Sequence, residues 1–354
     1  MTSLIPVLLT ASMVISGLLT PLITGRWRLN HVLAVSQFGK FLLLLFLVMI
    51  FSIRLSVNRL ILIDVVVIMI ALLDGLAEPV SAALIPHYVS DAYLVKANSL
   101  LGGAYQLLGI GGWAIGSTLL AFFQIDQLLI FGVIVAAVAS GLMLALPDVD
   151  QPLHQQVSWD QFTSGWKVIK NSRLLRVVTA MDLLETAANT VWVSAIILVF
   201  VHQVLHVSST WWGYINAIYM LGAFLGSWGC YSLAKRLEQR KIRVISWGAL
   251  ISSAIMLLVA VNHLPIVTLL LAMLFGVSSA MKNVPQTTLV QKNVSNDQLV
   301  VVYALQNVLY TGTYSLATLT ISWLSDTINV QFVFLIAAGL LFIVAILSRQ
   351  LTRI

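Results

Sequence analysis

A chain of 354 residues that is 60% hydrophobic and only 9% charged cannot coat a water-facing surface, for which soluble domains use roughly a quarter charged residues, so it reads as an integral membrane protein. The lone cysteine, Cys230, excludes an internal disulfide, and the six histidines show no H-E-x-x-H or related spacing, so neither a metal nor a cofactor is expected. A formal charge of +6 would suit nucleic acid as a partner only if the basic residues clustered without regard to the apolar segments.

They do not. Apolar runs of about 20 residues, long enough to span a bilayer, occupy 3–24, 32–53, 60–84, 97–122, 126–146, 174–201, 210–234, 243–261, 264–290, 300–324 and 329–349, giving eleven spans. If successive loops alternate sides with the C-terminus cytoplasmic, then Arg26, Arg28, Lys96, Lys167, Lys170, Arg173, Arg176, the group from Lys235 to Arg243, Lys292, Arg349 and Arg353 share one side. Arg54 and Arg59 alone fall opposite. Basic loops stay cytoplasmic, so the N-terminus is expected outside, and the positive charge requires no nucleic acid.

In chain order, the first span carries no basic residue before it and is followed at once by Arg26 and Arg28, which reads as an outside-starting helix and not a signal peptide. The third span, 60–84, holds Asp74 and Glu78, which their spacing of four places on one helical face with Ser81. The fourth contains GGAYQLLGIGGWAIG at 102–116, whose small residues, Gly112 and Gly116 among them, suit close helix packing in lipid. The hydrophilic segment 147–173 ends in an amphipathic stretch and divides a five-span N-terminal bundle, 1–146, from a six-span C-terminal bundle, 174–354. The sixth span carries Asp182, Glu185, Asn189 and Trp192 as a polar stripe; the ninth carries Ser279, Lys282, Asn283 and Gln286; the tenth carries Gln306, Tyr310 and Thr313.

Internal repetition agrees with that division: YVSDAYLVKANSL at 88–100 lines up with NVSNDQLVVVYAL at 293–305, each between two spans. Parallel duplication of this kind is known among transporters. LITGRWRLNH and SQFGK hold the places of two loop motifs, with Arg26 retained, Gly25 where an acid is usual and Lys40 where an arginine is usual. IPHYVSDAYLVKANSLLGGAYQLLGIGGWAIGSTLLA resembles an L-P…A-N-S-L…G-x-x-G-P-x-x-G-G pattern, with Trp113 in the proline's place. Over essentially the whole chain these residues resemble the major facilitator superfamily, in particular its drug- and macrolide-efflux permeases.

The resemblance implies an all-α major facilitator fold of two bundles, multi-pass in a bacterial cytoplasmic membrane, here lacking the family's first helix. It implies a transporter and not an enzyme, working by alternating access on a small-molecule substrate. It also casts Arg26 and Lys40 as structural residues of the first cytoplasmic loop and places the third, sixth and ninth spans around a central cavity. Counting from the span ends at about 1.5 Å per residue, Glu185 is expected near the midplane, Asp182 and Asp74 somewhat to the cytoplasmic side, and Glu78 and Lys282 near the cytoplasmic boundary. Deep acids in apolar helices mark pathways or partners. Asp182, Glu185, Asn189, Asp74 and Gln306 are therefore candidates for proton coupling or substrate contact, and Glu78 with Lys282 for a cytoplasmic gate. The same groups also admit a structural reading, as snorkelling side chains or helix-to-helix hydrogen bonds. No nucleotide-binding loop is found, so the expected energy source is a proton gradient and the expected activity is efflux of a bulky amphipathic molecule. Import on the same fold, or a transport-inactive permease acting as an interaction protein, are the alternatives.

Overall fold

The computed structural model describes residues 4–52, 59–149, 159–192 and 194–353. Among these residues the regular structure is entirely helical. It comprises α1 (Leu4–Thr24), α2 (Leu29–Ser52), α3 (Arg59–Tyr88), α4 (Leu94–Phe122), α5 (Ile125–Leu144), α6 (Trp159–Asn171), α7 (Arg173–Asn189), α8 (Ser194–Gln203), α9 (Thr210–Ser232), α10 (Ala234–Val261), α11 (Pro265–Asn293), α12 (Asn296–Thr327) and α13 (Val330–Ser348). Each expected span falls on a helix, the sixth being shared by α7 and α8, and the amphipathic stretch before it forms α6. By length and apolarity alone, α2, α5, α10, α11 and α13 qualify as membrane spans among the described residues. A sixth span follows if α7 and α8, bent by 48° at their break, are counted together. The long helices that fall short include α12, which is rich in hydroxyl and amide residues.

Local chemistry sets several boundaries. The side chain of Ser172 accepts a hydrogen bond from the amide of Leu175 and so starts α7, and Asn329 does the same for α13 through Gln331. Pro21, Pro79, Pro86 and Pro285 lie inside α1, α3 and α11. Each removes a backbone donor, a loss that membrane helices accommodate through neighbouring helices and side chains.

The chain forms two compact units. The first comprises Met1–Tyr88, Ile115–Asn171 and Val294–Thr311; the second comprises Val89–Ala114, Ser172–Asn293 and Gly312–Ile354. Each unit thus includes a helical section from the other half of the sequence: the start of α12 in the first unit and most of α4 in the second. In the first unit, Gly17 and Gly75 let α1 approach α12 and α3, since an added Cβ would lie 2.8 Å from Val308 and 2.9 Å from Ser16. In the second unit, α9 and α11 touch backbone to backbone. A Cβ on Gly222 would lie 2.1 Å from the carbonyl oxygen of Met273, and one on Gly276 would lie 2.2 Å from that of Tyr219. Small residues four apart permit such approach in lipid, where dispersion replaces the hydrophobic drive between helices.

The glycine series of α4 also packs, but through its earlier members. Gly102, Gly103 and Gly109 face Ser227, Phe224 and Met220 of α9, whereas a methyl on Gly112 would meet no described atom within 4 Å, so close packing is not found there. Gly116 lies in α4, and its packing falls outside the described residues. Cys230 is fully buried beside Val95, Ala234, Leu237 and Val284 and acts as core filler.

The backbone contact at Gly222 predicts a sharp asymmetry. Gly222→Ala should destabilise the purified protein by about 3 kcal/mol or more, the upper end of overpacking costs. Gly229→Ala, where the added methyl meets open space, should leave thermal unfolding in detergent unchanged.

Candidate functional site

Within the second unit, α7 and α11 run antiparallel in the sense set by their polar residues. Glu185 lies twelve residues beyond the start of α7 and Lys282 eleven residues before the end of α11, so at about 1.5 Å per residue both sit roughly 17 Å in from that end. Lys282 is 1% exposed and donates a hydrogen bond to Glu185 Oε2. Its Nζ lies 3.7 Å from Asp182 Oδ1, and Asp182 accepts a 2.5 Å hydrogen bond from Gln286 Nε2. The α7 stripe therefore meets the α11 stripe rung by rung. Two carboxylates share one ammonium, so with all three ionised the cluster carries a net negative charge.

Lys282, expected near the cytoplasmic boundary as a gate residue, lies on a helix that runs to Asn293, three residues past the expected span end, and its ammonium lies against two acids of α7. Glu78, the other expected gate member, accepts a 3.0 Å hydrogen bond from Asn307 Nδ2 within the first unit. Both expected gate residues thus have partners within their own units.

From the ion cluster a chain of hydrogen bonds continues along α11. Lys282 Nζ donates to Asn283 Oδ1 at 3.1 Å and Asn283 Nδ2 donates to Ser279 Oγ at 3.3 Å, which brings the polar stripe to the neighbourhood of Tyr219. Tyr219 in turn walls a cavity of about 150 Å³ lined with Asn189, Trp192, Ile215, Asn216 and Phe275. That space equals the volume of about five liquid waters. Its aromatic walls are close together, with the Trp192 and Phe275 rings 5.6 Å and those of Tyr219 and Phe275 6.1 Å apart. Asn189 Oδ1 and Trp192 Nε1 are buried without a hydrogen-bond partner. An acceptor and a donor left open in an aromatic hollow suit a small polar group with apolar flanks. Asn189 ends α7 and Trp192 ends the following turn, just where the span bends toward α8.

The other expected site residues lie in the first unit. Asp74 Oδ1 accepts a 2.6 Å hydrogen bond from Lys40, which belongs to the body of α2 and not to the loop before it. Gln306 is buried on α12. Arg26 does stand in the turn between α1 and α2, but the bonded residues of that end are its neighbours Arg28, Asn30 and His31, all directed at Asp148 beyond α5. The hydrogen bond from Asn30, with the charges of Arg28 and His31, outweighs desolvation and holds the Asp148 carboxyl below the usual range. Asp148 thus supplies the carboxylate that Gly25 does not. Sequence reading missed Asp148, Tyr219 and Phe275. Trp211 and Trp212, near the start of α9, pack partly buried against the apolar core of the second unit.

Comparison with known proteins follows this geometry. A family model described as the Major Facilitator Superfamily matches residues 2–318. Two proteins of Bacillus subtilis (strain 168), both named as uncharacterized MFS-type transporters, are similar in sequence. YfmI is 27% identical over 329 residues, 92% of this chain and 81% of its own length, and YjbB is 27% identical over 280 residues, 78% and 69% respectively. Among solved structures, the human organic anion transporter MFSD10 superposes with a TM-score of 0.79 at 15% identity, over 96% of this chain and 82% of its own. The Escherichia coli fucose:proton symporter FucP gives 0.79 at 15% identity, over 98% and 90%. At such identity the likeness to these structures is one of fold.

Because Lys282 serves two acids, its removal and the removal of one acid should differ. Lys282→Met leaves both carboxylates without a cation and should cost about 3–5 kcal/mol, the range for breaking a buried pair. Glu185→Gln leaves the lysine with Asp182 and should cost less. Unfolding of the two variants in detergent at neutral pH measures the difference, and equal losses would place Asp182 outside the network.

Proposed function

The chain belongs to the Major Facilitator Superfamily, and from that premise we propose that it is a proton-coupled secondary transporter that exports an amphipathic small molecule by alternating access. The family and its relatives are transporters and not enzymes. The observation that carries the coupling is the deep cluster of two carboxylates and one ammonium, whose hydrogen bonds run along α11 to Ser279, near the cavity wall at Tyr219.

An ionised group in a span is tolerated only with a partner or water, so a cluster with one carboxylate in excess favours taking up a positive charge. A proton on Glu185 neutralises the cluster and releases Lys282 toward Asp182. That exchange moves α7 relative to α11, and with it the cavity walls contributed by Asn189 and Trp192 on one side and Phe275 on the other. A change of charge that moves the substrate wall is what coupling requires. The aromatic lining and the unfilled donor and acceptor support an amphipathic substrate, of which this cavity would hold one moiety. Export as the direction is supported by the resemblance of the segment 85–121 to efflux permeases.

In inside-out vesicles with an imposed pH gradient and ethidium as the probe, the unaltered protein should drive accumulation. Glu185→Gln should lower the rate by about tenfold, equivalent to about 1.4 kcal/mol, while Asp64→Asn, near the start of α3, should leave it nearly unchanged. Unaltered accumulation in the Glu185 variant would remove that residue from coupling.

The distribution of basic residues further supports an outside N-terminus and a cytoplasmic C-terminus. Reporter fusions at the two ends should give opposite signals, and matching signals would contradict the eleven-span arrangement.

A further inference from the structure

The basic end of the second unit holds a feature separate from the ion cluster and the aromatic cavity. Helix α10 is interrupted near its start: Arg240 has φ −125° and ψ 19°, so the helix kinks there. A hollow of about 540 Å³ opens at this kink, lined by Arg240, Lys241 and Arg243 together with Glu238 and Thr352. Glu238 adds no free negative charge, because Lys241 and Lys292 both bind its Oε1, at 3.3 and 2.9 Å. Burial alone would raise its pKa, but the hydrogen bond from Lys292 and the two lysine charges outweigh that and hold the carboxyl below its usual range. Among the described residues, Arg240, Arg243 and Arg349 have no acidic partner.

One to two turns further along α10, beside the end of α13, lies a second hollow of about 200 Å³, lined by Ser246, Trp247, Leu250, Ala345 and Arg349. Its lining is mostly apolar apart from Arg349 and Ser246. A 3.0 Å hydrogen bond from Ser348 to Ser246 joins the two helices at that level. Trp247 is 63% exposed, as an indole at a membrane–water interface would be.

We infer that these two hollows form a binding site for one anionic phospholipid, the phosphate-bearing headgroup lying among Arg240, Arg243 and Arg349 and an acyl chain running past Trp247 and Leu250. Guanidinium groups match phosphate oxygens in pairs, and basic hollows between helix ends near the membrane surface suit anionic headgroups. A free phosphate would satisfy the arginines and leave the apolar groove empty. A zwitterionic lipid would fill the groove and bring no net charge to the arginines. An anionic amphiphile satisfies both. The positive-inside rule asks only that basic residues lie on one side; it does not require two arginines without acidic partners to line one hollow and a third to line an apolar groove further along α10.

The test is native mass spectrometry of the full chain released from detergent, titrated with phosphatidylglycerol or with phosphatidylethanolamine of identical acyl chains. Phosphatidylglycerol should be retained at about tenfold lower concentration. The double variant Arg240→Ala with Arg349→Ala should abolish that preference, while Arg236→Ala, on the same helix but lining neither hollow, should keep it. Equal retention of the two lipids by the unaltered protein, a comparison that needs no variant, would overturn the site in favour of unspecific annular lipid. Displacement of phosphatidylglycerol by millimolar inorganic phosphate would overturn it in favour of a soluble anion. An unchanged preference in the double variant, with its unfolding temperature matching the parent, would also overturn it.

Discussion

The ion cluster of Lys282, Glu185 and Asp182 constrains everything around it. A buried ammonium is tolerated inside an apolar helix only while a counter-charge stays within reach. That requirement fixes the register of α7 against α11, and the register in turn aligns Gln286 with Asp182 and brings the polar face of α11 round to Ser279. Tyr219, in the neighbourhood of Ser279, walls the cavity. Removing the charge would therefore disturb more than one bond, because the alignment of the two helices and the shape of the hollow share one origin.

The first unit meets the same demand differently. Its deep acid, Asp74, is matched to a single lysine, Lys40, and remains half exposed at the side chain (45%). Its other acid, Glu78, is bound by an uncharged amide. No ammonium there is shared between two acids among the described residues, so its two carboxylates are bound separately, whereas those of the second unit converge on one lysine. Duplicated sequences have thus arrived at unequal electrostatics.

Much of the fold was legible in the sequence because apolar runs of bilayer length leave few alternatives: a helix is the only local structure that satisfies its own backbone in lipid. The stripes on α7 and α11 were legible for the same reason, since periodicity places their residues on one face. What periodicity omits is the partner. Lys282 was read by its distance from a span end, whereas its position is set by acids about a hundred residues away in sequence. Gly112 shared the spacing of its neighbours, yet only Gly102, Gly103 and Gly109 met a helix. Asp148 stood just beyond α5 in a polar stretch with no pattern of its own, and only the fold brought it against Arg28 and Asn30. The cavity escaped notice because its walls, Tyr219 and Phe275, are ordinary aromatic residues in apolar helices until three elements converge on them.

The contact between Gly222 and Gly276 bears on which parts of the second unit can be mobile. Helices whose backbones touch cannot slide lengthwise without driving a carbonyl into an α-carbon, so α9 and α11 behave as a single stiff plank carrying Asn216, Tyr219, Phe275 and Lys282 together. Compliance has to come from elsewhere. Any rearrangement of the unit therefore carries the aromatic wall and the ammonium together as one body, with the remaining helices shifting around it.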